Sequence, residues 1–230
     1  MILYGRNAVR EALRGPRAVR EVWATERAAR EPWLRGAAVS VQTAHGDEIE
    51  RRCGSTDHQG LCAEVAPYRY ADAAALLAQQ DALIVALDEI QDPQNLGAIC
   101  RTAECAGATG VVIPERRSAE VTPAVCKASA GAVEHLAIAR VRNLADFLLE
   151  AGRAGAWSYG ADGGARTVYT QPDYRGKVVL AMGSEGSGLR PRVARSCDEL
   201  IALPLRGRIE SLNVSAAAAA LLYEITRQRS

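Results

Sequence analysis

The chain of 230 residues has no stretch approaching the ~20 apolar residues that cross a bilayer. Its opening, Met1-Ile2-Leu3-Tyr4-Gly5-Arg6, reaches a charge too early to hold the apolar core of a signal peptide. A soluble, cytoplasmic protein with no membrane partner is expected. Six cysteines, at 53, 62, 100, 105, 126 and 197, form no Cys-x-x-Cys pair, and the three histidines (45, 58 and 135) stand at no metal-ligand spacing beside them. Zinc frameworks and a disulfide scaffold are thereby disfavoured, leaving free thiols and no metal as the expectation. Excess charge is missing too: the formal net charge is +1 and the pI about 7.6, so bulk charge announces no nucleic-acid partner. Lysine is nearly absent, with Lys127 and Lys177 alone among 28 basic residues. Arginine suits bidentate phosphate contact, although a general arginine bias would look the same.

What is present is an ordinary globular balance, 48% apolar and 24% charged. Residues 1–66 read as a small α/β unit. Asn7–Leu13 is helical and stops at Gly15-Pro16, Glu21–Thr25 and Val39–Gln42 are strand-like, Asp47–Cys53 is helical, and Leu61–Val65 is a strand closed by Pro67. Residues 67–81 read as a linker with a short alanine-rich helix. From 82 to 230 strands and helices take turns. Leu83–Leu87 is a continuous apolar run, as in a strand buried on both faces. Further strands are expected at Val111–Ile113, Leu136–Val141, Trp157–Gly160, Val178–Met182 and Leu200–Leu203, with helices near 95–106 and 214–228. This alternation predicts a mostly parallel, doubly wound sheet.

Three segments gather polar residues at strand ends, where open α/β sheets place ligands. In Asp92-Pro93-Gln94-Asn95-Leu96-Gly97-Ala98-Ile99-Cys100-Arg101, the six-residue offset sends Asn95 and Arg101 about 120° apart around a helix. A bland alternative is an Asn95 N-cap followed by a solvated arginine. In Met182-Gly183-Ser184-Glu185-Gly186-Ser187-Gly188-Leu189, glycines let the backbone approach a ligand closely. The order is neither that of a dinucleotide fingerprint nor that of a P-loop, which disfavours a nicotinamide enzyme and a nucleotide triphosphatase. Glu185 could orient a substrate or merely face solvent. In the third segment, 201–215, a strand ends at Pro204, a loop carries Arg206 and Arg208, and Ser211 or Asn213 could cap the alanine-rich helix that follows.

Taken together and in order, N-L-G-A-I-C-R-T-A, M-G-S-E-G-S-G-L and I-A-L-P-L-R-G-R-I-E-S-L-N-V-S resemble the three signature motifs of the SpoU (TrmH) class of SPOUT methyltransferases. Arg117-Ser118-Ala119 and Lys127-Ala128-Ser129-Ala130-Gly131-Ala132 are similar to the same class. Tyr4-Gly5-x-x-Ala8-Val9 and His58-Gln59-Gly60 resemble its RNA substrate-binding domain. The resemblance covers nearly the whole chain. It implies an α/β C-terminal domain with a trefoil knot and a mostly parallel sheet, preceded by a small ribosomal-protein-like α/β domain that binds RNA.

The activity so implied is transfer of a methyl group from S-adenosyl-L-methionine to an RNA ribose 2′-OH by a homodimer, with no metal. The branch that is most similar acts on a guanosine of 23S ribosomal RNA or its precursor. Asn7 stands where that branch reads His, a departure that bears on the RNA target rather than on the reaction. The matching cofactor positions are Met182, Gly183, Glu185, Gly186, Ile201, Leu203, Leu212, Asn213 and Ser215. Arg101 would be the base that assists the hydroxyl, or, since a guanidinium pKa exceeds ~12, a clamp on the target phosphate. Asn95, Glu185, Ser211 and Asn213 would orient the ribose and Arg101. RNA contacts are expected from Arg6, Asn7, His58 and Gln59, with Arg116, Arg117, Arg206 and Arg208 nearer the pocket. The competing expectations are a transfer-RNA ribose methyltransferase using the same site, and a non-catalytic RNA-binding assembly factor.

Overall fold

A computed structural model describes residues 1–209 and 211–229. Glu210, quoted within the third motif, and Ser230, the last residue of the second expected domain, lie outside the described residues. The first sheet comprises β1 (Ile2–Tyr4), β2 (Val19–Ala24), β3 (Ser40–Thr43) and β4 (Leu61–Val65), in the order β1-β4-β2-β3. β4 runs antiparallel to β1 and β2, while β2 and β3 are parallel. Helices α1 (Arg6–Arg14) and α2 (Gly46–Cys53) cover its two faces. Strand β1 lies in the stretch whose early arginine argued against a signal peptide; three residues are too few to show a period.

The second sheet has β5 (Leu83–Leu87), β6 (Gly110–Pro114), β7 (Ala137–Val141), β8 (Trp157–Ala161), β9 (Thr167–Val168), β10 (Val178–Met182) and β11 (Glu199–Ala202). Their order is β7-β6-β5-β10-β8-β11-β9, and every recorded pair is parallel. The helices are α3 (Ala73–Leu77), α4 (Pro93–Cys105), α5 (Pro123–Ala128), α6 (Leu144–Arg153), α7 (Pro191–Ser196) and α8 (Val214–Arg229). The continuous apolar runs follow from burial on both faces. Along β10, Val178, Leu180 and Met182 enter the core shared with α4 and α8, whereas Val179 and Ala181 enter the core beneath α6.

Two features place the ligand-binding edge. Neighbouring β5 and β10 send their following segments to opposite sides, which opens a crevice at their carboxyl ends. Strand β11 enters between β8 and β9, which are consecutive in the chain and already joined by residues 162–166. That insertion is the strand order that the trefoil knot implied by the motifs' resemblance requires, a topology general rules make very rare.

Residues 67–81 are fastened rather than loose. Tyr68 Oη donates to the Leu136 carbonyl (3.3 Å), the Val121 N–H donates to Tyr70 Oη (3.0 Å), and the Ala71 N–H donates to the Ile138 carbonyl (2.8 Å). Aromatic side chains with a polar tip bury well when the tip finds a partner, which explains why this stretch docks. The two sheets also share one core: Leu3, Val9, Val22 and Leu61 belong to the same buried cluster as Leu96, Val125 and Val133. At this seam Arg17 pairs with Glu134, both side chains almost fully enclosed (7% and 2% exposed), and Arg17 lies 5.6 Å from the centre of the Tyr68 ring. Lys127 Nζ donates to the Asp57 carbonyl (2.9 Å), and His135 meets Glu11 at 3.0 Å.

Candidate active site

The first motif starts one turn earlier than its periodicity suggests. Asp92, not Asn95, is the N-cap of α4, accepting from the Gln94 N–H at 3.0 Å, with Pro93 in the first turn. Asn95 therefore lies inside the helix, buried, while Arg101 is exposed on another face. Gly97 is required because a Cβ there would fall 2.4 Å from the Ala128 Cβ; α4 and α5 touch at this point, which links the first motif to Lys127–Ala132.

The second motif forms a closed loop after β10. Ser184 and Gly188 exchange backbone hydrogen bonds (3.2 and 3.0 Å), and the Ser184 and Ser187 hydroxyls meet at 2.7 Å. A Cβ on Gly183 would lie 2.0 Å from the Gly188 carbonyl carbon, so only glycine permits this closure.

The third motif supplies the hub. Asn213 Oδ1 accepts from the backbone N–H groups of Ser215 (2.9 Å) and Ala216 (3.3 Å), capping α8, and from the Ser215 hydroxyl (2.5 Å). Asn213 Nδ2 donates to Asn95 Oδ1 (3.0 Å) and to Glu185 Oε1 (2.6 Å). One asparagine thus joins all three motifs. Its amide is fully used, whereas Glu185 Oε2 accepts no hydrogen bond among the described residues.

Two cavities flank this hub. One, of about 270 Å³, is walled by Met182, Ile201, Leu203, Leu205, Leu212, Val214 and Leu221, with the glycine loop, Glu185, Ser211 and Asp162–Gly163 completing it. The other, of about 260 Å³, is polar and lined by Glu89, Gln91, Asp92, Asn95, Ser184, Glu185 and Val214. Ser184, Glu185 and Val214 form the shared wall. Of the sequence-predicted cofactor positions, Met182, Gly183, Glu185, Gly186, Ile201, Leu203 and Leu212 line the first cavity; Asn213 and Ser215 stand behind its wall. Ser211 lines the cavity and is not the cap. Arg101 lines neither cavity and makes no side-chain hydrogen bond or ion pair among the described residues.

The proposed RNA contacts are scattered. Arg6 is exposed but paired with Glu31 (2.7 Å), and Gln59 Oε1 accepts from the Arg6 N–H (3.0 Å). His58 Nδ1 accepts from the Gly60 N–H (2.9 Å), which turns that ring nitrogen inward. Asn7, Arg116, Arg206 and Arg208 are exposed, and Arg117 stands 3.6 Å from Glu89. Sequence reasoning missed Asp88, Glu89, Asp162 and Arg190. Asp162 follows the end of β8 and could have been found from the rule that ligands gather at carboxyl ends. Asp88 is wholly buried and bonds to Arg190, whose pKa is raised by that carboxylate beside it. No local pattern links residues 102 positions apart.

Among the described residues no His, Cys, Asp and Glu cluster could hold a metal ion, and no helix is long and apolar enough to cross a membrane. Burial pushes the thiols of Cys62, Cys100 and Cys197 up to about 12 and that of Cys126 to about 11, so none of these is a ready nucleophile.

Comparison with known proteins gives the family. The model of the SpoU rRNA Methylase family matches residues 82–223, and that of RNA 2′-O ribose methyltransferase substrate binding matches residues 2–71. A Synechocystis protein named as a tRNA/rRNA methyltransferase is 42% identical over 99% of this chain, which spans only 62% of that relative's length. A Bacillus subtilis protein named for the TrmH family of tRNA/rRNA methyltransferases is 45% identical over 75% of this chain and 72% of its own. Among solved structures, the SpoU methyltransferase AviRb from Streptomyces viridochromogenes, in complex with the cofactor AdoMet, is similar over 100% of this chain and 90% of its own, with a TM-score of 0.84 at 25% identity. An AdoMet-bound rRNA methyltransferase from Sinorhizobium meliloti covers 98% of this chain and 86% of its own, with a TM-score of 0.81 at 27% identity. A TrmH/SpoU tRNA modifying enzyme of A. aeolicus covers 68% of this chain and 80% of its own, with a TM-score of 0.59 at 29% identity. The chain belongs to the SpoU methylase family.

Proposed function

We propose that this SpoU-family chain transfers a methyl group from S-adenosyl-L-methionine to the 2′-OH of a guanosine in 23S ribosomal RNA or its precursor, as a cytoplasmic homodimer. The observation that carries the reading is the Asn95–Asn213–Glu185 hub at the wall between an apolar and a polar cavity. The apolar cavity fits the cofactor: aliphatic walls suit an adenine ring, and Glu185 and Asp162 offer carboxylates to the sulfonium and ammonium charges. When bound, the cofactor supplies a methyl group on a positively charged sulfur. The chain's own residues then have to place and activate the hydroxyl. Glu185 Oε2, free of hydrogen bonds among the described residues, accepts a hydrogen bond from the ribose hydroxyl, which raises the electron density on the hydroxyl oxygen, and is the group that takes the hydroxyl proton when that oxygen is methylated. Asn213 holds Glu185 at 2.6 Å, and Asn95 holds Asn213. Arg101, exposed and with no hydrogen-bond or ion-pair partner among the described residues, serves as the clamp on the phosphate of the target nucleotide, since a protonated guanidinium has no lone pair to take a proton.

Ribosomal rather than transfer RNA is favoured by extent of likeness. The Sinorhizobium rRNA enzyme is similar over both sheets, whereas the A. aeolicus tRNA enzyme covers 68% of the chain. A homodimer is supported by the apolar side chains left exposed at the cavity rim and on α8: Leu205, Ile209, Leu212 and Tyr223. The test is transfer of labelled methyl to protein-free large-subunit RNA from cells lacking the gene, with the modified ribose mapped. One labelled guanosine is expected. Label on transfer RNA alone would overturn the target, and absence of cofactor binding would overturn the enzyme. Arg101→Ala is expected to slow transfer by about 100-fold or more while cofactor affinity stays unchanged; turnover like that of the unaltered protein would remove Arg101 from the site.

A further inference from the structure

The glycine loop stands on two feet, and both rest on one residue outside the three motifs. At the first foot the Asp88 N–H donates to the Met182 carbonyl at 2.8 Å, just before the loop leaves β10. At the second foot the Arg190 N–H donates to Asp88 Oδ2 (2.9 Å), and the Arg190 side chain grips Oδ1 through Nε (2.9 Å) and a terminal nitrogen (2.6 Å). The Asp88 side chain is completely enclosed, and the same guanidinium reaches Glu89 Oε1 at 3.1 Å. Between the feet, residues 185–188 are exposed, and among the described residues the loop's side-chain hydrogen bond to the rest of the chain is that of Glu185 with Asn213.

We propose that Asp88 and Arg190 are positioning residues that set the aperture of the glycine loop, and through it the shape of the cofactor cavity and the reach of Glu185. This rests on the reading of that cavity given above. The physical reason is that a loop closed by its own Ser184–Gly188 bonds moves as one body and tilts about its feet. An arginine that grips an enclosed carboxylate through both its backbone N–H and its guanidinium resists such tilting, because the buried Asp88 side chain would lose charge-assisted hydrogen bonds that water does not reach to replace. A purely stabilising pair would leave the loop's mobility and the cavity's affinity untouched once the protein is folded.

The experiment compares Arg190→Ala, Arg190→Lys, Asp88→Asn and the double variant Asp88→Asn/Arg190→Gln in the full chain. Two readouts need no turnover: calorimetric affinity for S-adenosyl-L-methionine, and hydrogen exchange of the Ser184 and Gly188 amides without ligand. Arg190→Ala is expected to weaken cofactor binding about tenfold and to speed loop exchange by a similar factor. Arg190→Lys should restore part of both, and the double variant should cost no more than the worse single one, as two members of one unit do. Folding is checked by circular dichroism; should Arg190→Ala not fold, Arg190→Lys and Asp88→Asn carry the same expectation with smaller effects. Folded variants with unchanged affinity and unchanged loop exchange would overturn the proposal. Failure of the unaltered protein to bind the cofactor would instead overturn the reading of the cavity, and unchanged loop exchange in the variants would still decide against the clamp.

Discussion

The seam between the two sheets and the rim of the apolar cavity use charge and oil in opposite ways. At the seam, charged groups are inside: Arg17 and Glu134 are enclosed, with Tyr68 against the guanidinium. At the rim, apolar groups are outside: Ile209 is 74% exposed and Leu212 48%, beside Arg206 and Arg208, which have no side-chain partners among the described residues. An enclosed ion pair tolerates almost no displacement, since either charge left alone in low dielectric is costly. An exposed apolar side chain next to a free cation is what a surface carries when part of its environment arrives later. The seam ties the first sheet to the second, whereas the rim leaves its apolar side chains and arginines facing solvent.

Breaking the seam should have the largest effect. Glu134→Ala leaves Arg17 buried without its partner and is expected to lower stability by about 3–5 kcal/mol, read from urea unfolding. The Arg17 guanidinium also lies 3.8 Å from Cys126 Sγ, so Glu134→Gln should open that buried thiol to alkylation that the unaltered protein resists. An unchanged unfolding midpoint in Glu134→Ala would mean that the seam does not fix the two sheets. At the rim the outcome should invert. Joint replacement of Arg206 and Arg208 by alanine should leave stability within about 0.5 kcal/mol. RNA affinity should fall, and its log–log salt dependence should become shallower by roughly 1 to 2. An unaltered salt slope would take both arginines out of the RNA path. The smallest change should come from Asn7→His, on the exposed face of the first sheet's α1. RNA affinity is expected to shift by no more than the up to about 1 kcal/mol of a surface contact, and a shift in cofactor affinity would contradict its place in the fold.

Legibility in the sequence followed the same division. The interior strands of the second sheet could be read almost residue by residue, because burial on both faces leaves an uninterrupted apolar run such as Val178–Met182. Strand β9, with two residues, and β1, with three, are too short for any period to appear. Asn95 was readable as important but not as interior, since Asp92-Pro93 and Asn95 both carry helix-start chemistry and only three-dimensional packing chose Asp92. The hub of Asn95, Glu185 and Asn213 became visible as a group through family likeness, and the hydrogen bonds that make Asn213 its centre needed coordinates. The docking of residues 67–81, read as a linker, depends on Leu136, Val121 and Ile138, to which nothing local in that stretch refers. Asp88 and Arg190 escaped for the same reason.

The insertion of β11 between β8 and β9 has a consequence in time. A chain leaving the ribosome can close the first sheet once residue 65 has emerged. The cavity draws on residues from 161 to 221, and β11 takes its place between two strands, β8 and β9, that were made well before it. No nascent chain short of α8 can therefore close this cavity, whereas every residue of the first sheet's strands has been made by residue 65.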